Sequence, residues 1–301
     1  MLTGYLHQEY AASLGEFGIP HELSNCRGWI LKRQIPSFNY YDAMGCYPLF
    51  ACSDWSSLHA DLETLRNEIV CISLITEPFI NVDLEYLHKC FDNVKHFKEH
   101  FVADLSQSPN DFVSKHHRYY GRKSMKKINI EVCPEPLKYI EEWVNLYTVL
   151  AKRHNITGIK AFSRQAFAKQ LSIPGIVMFR ASVEDTTVGL NLWFVQGEVA
   201  YDHLSAYSSE GYALRVSYAL KWYAIQYFSE RLRWADLGGR AGIGKEGEDG
   251  LDKFKMGWST GTLPVYFCSH VFDQEKYDEI IKKKDIKDHS YFPAYRRGEF
   301  S

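Results

Sequence analysis

The alternation of apolar and polar residues is clearest in the second half of the chain. Lys127–Cys133 (KINIEVC) alternates with the period of two expected of a half-buried strand. Pro134 and Pro136 suit the first turn of a helix. Leu137, Ile140, Val144, Tyr147 and Leu150 then fall on one helical face. Ser163 is a suitable N-cap for a second helix that turns Phe167 and Leu171 inward. Three strand-like runs follow, Ile176–Ala181, Thr187–Val195 and Glu198–Ser205, with Gln196-Gly197 as a tight hairpin between the last two. A long helix is expected from about Tyr212 to about Phe228, capped by Ser208 or Ser209. Arg233–Leu237 (RWADL) is a short strand that ends at Gly238-Gly239, and Gly242, Gly244 and Gly247 fill the loop after it. Asp249 can cap a short helix running to about Met256. Leu263–Ser269 (LPVYFCS) is a further strand, and Glu275–Lys287 reads as a surface helix followed by an extended end.

The first third is less regular. Trp29–Arg33 (WILKR) has strand character. Trp55–Arg66 carries Leu58, Leu62 and Leu65 at helical spacing, with Asp54 or Ser56 as cap. Ile69–Ile75 (IVCISLI) is a short apolar run that fits a buried strand, and Val82–Phe91 fits a helix. Together these describe an α/β domain of roughly 110 residues. The sharpest change in composition comes next. A polar, turn-rich stretch at Ser106–Asp111 precedes Ser114–Lys127 (SKHHRYYGRKSMKK), where eight of fourteen residues are Lys, Arg or His. The expected division is residues 1–113 as one domain, 114–126 as a basic hinge and 127–301 as a second domain.

Composition narrows the function classes. A chain of 301 residues favours two domains. A net charge of -2 gives no global basic field, so DNA is not an expected partner, although a local patch can still meet a charged RNA. Seven scattered cysteines, an odd number without C-x-x-C, fit reduced thiols better than a disulfide framework or a zinc site. The opening MLTGYLHQEY lacks the pattern of a secretory signal. No apolar run approaches the roughly 18 residues of a membrane span. A cytoplasmic protein without a resident metal is expected. There is no H-E-x-x-H and no G-x-S-x-G, and Gly242-Ile243-Gly244 with Gly247 has the wrong spacing for a dinucleotide fingerprint.

The order strand, helix, helix, three strands, helix, strand, helix, strand resembles the GNAT acyltransferase fold. Particular segments sharpen the likeness. GRKSMKK at Gly121–Lys127, AYDHLSAYSSEGY at Ala200–Tyr212, DLGG at Asp236–Gly239 and DGLDKFKMGWS at Asp249–Ser259 resemble, in order, segments of the Fem-type peptidyltransferases. The C-terminal pattern also resembles bacterial GNAT-like acetyltransferases of envelope loci. The resemblance implies an α/β (α+β) protein of tandem GNAT-like domains, each a mixed, mostly antiparallel sheet flanked by helices. It implies a splayed strand pair that receives acyl-CoA. Acyl transfer to an amine, on a small molecule or an envelope precursor, is the implied activity. The alternatives are an aminoacyl-tRNA donor, as in Fem-type enzymes, and a non-catalytic binding protein that keeps the fold. One departure bears on the donor. Where GNAT enzymes carry a glycine-rich loop for the CoA pyrophosphate, this chain has Tyr207-Ser208-Ser209-Glu210-Gly211, and Glu210 would repel that group.

Acyl transfer to an amine needs proton removal, oxyanion stabilisation and positioning. Asp236 can orient or deprotonate the amine, or simply accept N–H bonds in the Gly-Gly turn. Gly238 and Gly239 permit close approach of a substrate, or mark a turn with positive φ. Lys255 can face a phosphate or the oxyanion, as in the Fem-type pattern, with Lys253 its competitor. His203 is a possible base, and strict alternation puts it on one face with Tyr201, Ser205 and Tyr207. Ser205 and Tyr207 can donate to the acyl carbonyl, or pack within the sheet. Arg240, Arg118 and Arg122 complete the candidate binding set, the last two as phosphate ligands or as parts of a solvated linker.

Overall fold

The computed structural model describes residues 2–239 and 250–299. The strands are β1 (Ile19–Leu23), β2 (Gly28–Gln34), β3 (Tyr41–Gly45), β4 (Cys71–Ile75), β5 (Asn93–Asp104), β6 (Asn129–Cys133), β7 (Ile176–Val183), β8 (Thr186–Gln196), β9 (Val199–Tyr207), β10 (Trp234–Gly239) and β11 (Gly261–Val271). The helices are α1 (Gln8–Ser13), α2 (Leu58–Thr64), α3 (Leu84–Cys90), α4 (Pro109–Phe112), α5 (Lys115–Met125), α6 (Ile140–His154), α7 (Arg164–Gln170), α8 (Ser209–Ala213), α9 (Val216–Ser229), α10 (Gly250–Met256) and α11 (Gln274–Lys283). Strands β1, β3 and β5 were not expected from the sequence. The glycine loop after Gly239 and the Asp249 cap lie outside the described residues.

The chain forms two compact units, each of three segments. Unit 1 is Met1–Gly4, Lys98–Ile156 and Gln170–Leu263; unit 2 is Tyr5–Phe97, Thr157–Lys169 and Pro264–Ser301. The linear division expected at 113 and 127 therefore does not describe the units, because unit 1 begins its main part at Lys98 and unit 2 includes Thr157–Lys169 and Pro264–Ser301. In unit 1 the strand order is β5-β10-β9-β8-β7-β6, antiparallel throughout except for the parallel pair β9–β10. In unit 2 the order is β1-β2-β3-β4-β11, antiparallel except for the parallel pair β3–β4. The strands of the two units thus repeat one topology: a meander, a parallel neighbour, and an antiparallel strand beyond it.

Unit 2 packs Ile30, Phe50, Trp55, Leu58, Leu62 and Ile72 into its core. The C-terminal stretch, expected to be extended, instead turns back in a short 3-10 helix at Ala294–Arg296. It is held by the fully buried Asp42, which accepts from Arg33 Nε at 3.0 Å and from Arg296 Nε at 2.8 Å. Glu299 accepts in turn from Arg33 at 3.0 Å. All seven cysteines are buried free thiols.

In unit 1, α9 lays Val216, Ala219, Leu220 and Phe228 on the sheet against Phe179, Trp193 and Ala235. The single helix expected over Tyr212–Phe228 is two helices. Gly211 sits so close to β8 that a Cβ there would lie 2.1 Å from the Val188 carbonyl oxygen, which pins α8 to that strand. To run back across the sheet the chain turns at Arg215, which adopts φ 57°. The inward face of α6 is Ile140, Trp143, Leu146 and Tyr147. Leu137 falls in the preceding 3-10 turn and is 45% exposed, because the tighter turn breaks the α-helical register. The basic segment expected as a hinge is the helix α5, capped by Ser114 and packed on α9.

One contact of α5 positions the short helix α10. The His117 ring meets Trp258, Tyr218 and Phe254 at centroid distances of 4.9, 5.2 and 5.7 Å. A Cβ on Gly257 would lie 2.1 Å from that ring, so only glycine lets the end of α10 approach it. Burial, with a smaller contribution from His116, pushes the His117 pKa down to about 4. Between that value and the unfolded value of 6.5 the unfolded chain binds more protons than the folded one, so stability rises with pH there. Stability in urea should be full above pH 6.5 and fall on acidification towards pH 4. His117→Gln should flatten that slope, and an unchanged slope would remove His117 from the account.

Candidate functional site

Strands β9 and β10 pair over only three positions, Val199–Trp234, Ala200–Ala235 and Tyr201–Asp236. Beyond them β9 continues to Tyr207 and β10 to Gly239 with no pairing to each other. Local irregularities explain the divergence. Leu192 pairs with Leu204 but Trp193 pairs with Asp202, which leaves His203 as an extra residue in β9. A second register shift lies between Asp236 and Gly239 where β10 pairs with β5. Bulges bend and twist the strand that carries them, and here both follow directly on the last shared pair. The result is a fork in the sheet of unit 1.

Asp236 stands at the fork and is 3% exposed. Its Oδ1 accepts from Gly238 N at 2.8 Å, and Gly238 has φ +78°. The turn role considered for Asp236 is therefore real, but a second partner accompanies it. His100 Nδ1 lies 2.9 Å from Oδ2 and 3.1 Å from Oδ1. Lys255 reaches over from α10, and its Nζ donates to the Gly239 carbonyl at 2.6 Å. Burial lowers the Lys255 pKa, and the charges of Asp202 and Asp236 oppose that shift.

A buried polar network underlies Lys255. Lys221, from the middle of α9, is 4% exposed and donates to Asp202 Oδ2. Its Nζ is also 4.5 Å from the centre of the Trp193 ring. Asn191 donates to Asp202 Oδ1 and to Ser205 Oγ, both at 2.8 Å, and accepts from Trp193 Nε1 at 2.6 Å. Burial raises the Tyr207 pKa, which keeps its hydroxyl protonated, and Ser205 partners it.

The bulge also sorts the expected site residues. Ser205 and Tyr207 do belong to the network. His203, expected on their face, instead packs against Phe194 with tilted rings 4.6 Å apart, and its Nε2 lies 3.2 Å from Gln170 Oε1. The extra residue reverses the alternation, so that Asp202 joins Ser205 and His203 does not. Burial pushes the His203 pKa down to about 3, a poor value for a base at neutral pH. Lys253 is exposed on α10, while Lys255 points to the fork. Arg240 lies outside the described residues. Arg118 and Arg122 are both tied to Asn110, the first through its carbonyl and the second at 2.7 Å through Oδ1. With Lys115, Lys123, Lys126 and Lys127 they line a groove of about 710 Å³ whose walls include none of the fork residues. Among the described residues no cluster of His, Cys, Asp and Glu is placed to hold a metal ion.

The sequence reading missed His100, Asn191, Asp202 and Lys221. Lys221 did leave a signal. It is the one charged residue in VSYALKWYAIQYFS, and a buried ammonium needs a partner.

No family model and no curated protein matches this chain. Solved structures do. FemX superposes with a TM-score of 0.67 at 13% identity, over 92% of this chain and 95% of that one. The C-terminal domain of a putative lysylphosphatidylglycerol synthetase from Agrobacterium fabrum gives 0.60 at 14% identity, over 92% and 93%. L-PGS from Bacillus licheniformis gives 0.55 at 16%, over 93% and 97%. The chain has the tandem GNAT-like fold of FemX. Identities this low establish the fold alone, and the chemistry must be argued from the fork.

Removing one partner of a buried ion pair costs about 3–5 kcal/mol, because the other charge is stranded. Lys221→Met and Asp202→Asn should each destabilise the protein strongly in urea unfolding. The double variant should lose less than the sum by about 0.5–3 kcal/mol. Additive losses would show that the pair is not coupled.

Proposed function

We propose that this protein transfers an acyl group to an amine acceptor at the β9–β10 fork. The observation that carries the reading is the set of groups gathered there. The ammonium of Lys255 and the carboxylate of Asp236 flank a glycine pair at the point where two parallel strands part. An unpaired strand edge offers backbone N–H and C=O groups to an extended donor. Lys255 offers a cation where the tetrahedral oxyanion develops, and Ser205 and Tyr207 offer hydroxyl donors along the β9 wall. The amine acceptor attacks the acyl carbonyl directly, so no nucleophilic side chain is needed. A small amine, or an amine on an envelope sugar or peptide precursor, suits this chemistry.

Two donors were expected, acyl-CoA and aminoacyl-tRNA. Two observations favour the tRNA ester. Ser208 caps the five-residue helix α8 by accepting from Gly211 N at 3.0 Å, so that amide is already engaged, and Glu210 adds a negative charge in the first turn. The α5 groove, by contrast, carries six cations, and none of them forms an ion pair with a carboxylate among the described residues. Phosphate contacts are what such a surface supplies. One structural neighbour is named as the C-terminal domain of a putative lysylphosphatidylglycerol synthetase.

The test is a transfer assay with acetyl-CoA and with a set of aminoacyl-tRNAs, against a panel of primary amines. Transfer from at least one donor is expected. Lys255→Ala should lower kcat by about 10²–10³-fold while the melting temperature is kept. Preference for tRNA, weakening steeply as salt rises, would select that donor. If neither donor supports transfer, the non-catalytic reading of the fold replaces this one. If Lys255→Ala and Asp236→Ala both keep full activity, the reaction centre lies elsewhere.

A further inference from the structure

We propose that His100 is the group that takes the proton from the attacking amine, with Asp236 fixing its ring. The inference rests on the acyl-transfer reading and adds a residue to it. His100 lies on β5, on the opposite side of β10 from β9, and is 8% exposed. Its Nδ1 is engaged by both oxygens of Asp236, at 2.9 and 3.1 Å. Asp236 is itself fixed by the Gly238 amide. This arrangement sets the tautomer with the proton on Nδ1 and leaves Nε2 as the acceptor. Nε2 has no hydrogen-bond partner among the described residues and lies at the Gly238–Gly239 end, where a Cβ on Gly239 would be 3.1 Å from it. Lys255 reaches the same glycine pair from α10, at the Gly239 carbonyl. Base and oxyanion donor therefore flank one short segment of backbone, as acyl transfer to an amine requires.

The step balances without a further reactant. The amine nitrogen forms a C–N bond to the acyl carbon, and the C–O or C–S bond to the donor breaks. The proton lost by the amine passes to Nε2. It then passes to the departing oxygen or sulfur. Asp236 stabilises the imidazolium in between. The charged groups that act on this step are Asp236 on β10, Lys255 on α10, and Lys98 and Glu99 beside His100 on β5. Asp202 on β9 and Lys221 on α9 act on it through Lys255.

The test is the pH profile of kcat/KM for the wild type, His100→Gln, His100→Ala and Asp236→Asn. The assay uses acetyl-CoA or aminoacyl-tRNA, whichever the wild type accepts, with melting temperatures measured alongside. His100→Gln should lower kcat/KM by about 10²–10⁴-fold. It should also abolish the acid limb of the profile and leave donor affinity unchanged. Added imidazole should restore part of the rate to His100→Ala, which no purely structural role explains. Wild-type rates and profile in folded His100→Gln would overturn the assignment and leave the acyl-transfer reading standing. A folded His100→Ala that imidazole does not rescue would also overturn it. A wild type that transfers nothing from either donor would overturn both.

Discussion

Hydrogen bonding between β9 and β10 stops after Tyr201 and Asp236. The backbone groups beyond that point must be satisfied in some other way. Two of them are met by side chains. Asp236 takes the Gly238 N–H, and Lys255 gives to the Gly239 carbonyl. The residues nominated for chemistry are thus also the residues that terminate the ladder. A strand that stops pairing needs other partners for its backbone groups, and here two charged side chains provide them at a gap in the sheet.

Polar residues stand beside the gap where a core would otherwise be apolar. Asp202, Lys221 and Asn191 sit between the α9 packing surface and the diverging part of β9, bonded to one another and to Trp193. Such a network is stable only when each member is satisfied. An apolar replacement of similar volume is often no less stable than a buried ion pair. What the pair supplies is charge near Lys255, whose ammonium loses solvation through burial and regains some of it from Asp202 and Asp236. The aromatic contact of His117 with Trp258 and Phe254 acts at the other end of the same problem, because it fixes the helix that delivers Lys255.

Much of unit 1 was legible from the sequence. The alternation in β6 to β9, the Gln196-Gly197 hairpin, the DLGG strand end and the short helix with Lys255 all depend on local periodicity or turn chemistry. The choice of Asp236 and Lys255 came instead from the resemblance of their segments to Fem-type enzymes. What escaped depends on pairing between distant segments. In β5, Val94, Phe97 and Phe101 are spaced three and four apart, which suits a helix, and KHFKEH is too charged to suggest a buried strand. Pairing with segments distant in sequence makes it a strand, so His100 had no local signature. The bulge at His203 likewise exists only in the register between β8 and β9. Without it, alternation groups the wrong histidine with Ser205 and Tyr207. The interleaving of segments between the two units defeats any linear domain boundary for the same reason.

The claim that the fork is where the donor lies is tested most directly by hydrogen exchange, with and without the donor that supports transfer. The account predicts that the donor slows exchange in residues 202–207 and 237–239, the stretches where β9 and β10 no longer pair, and leaves the paired stretch 199–201 unchanged. Protection confined to other parts of the chain, with the fork exchanging as before, would contradict it.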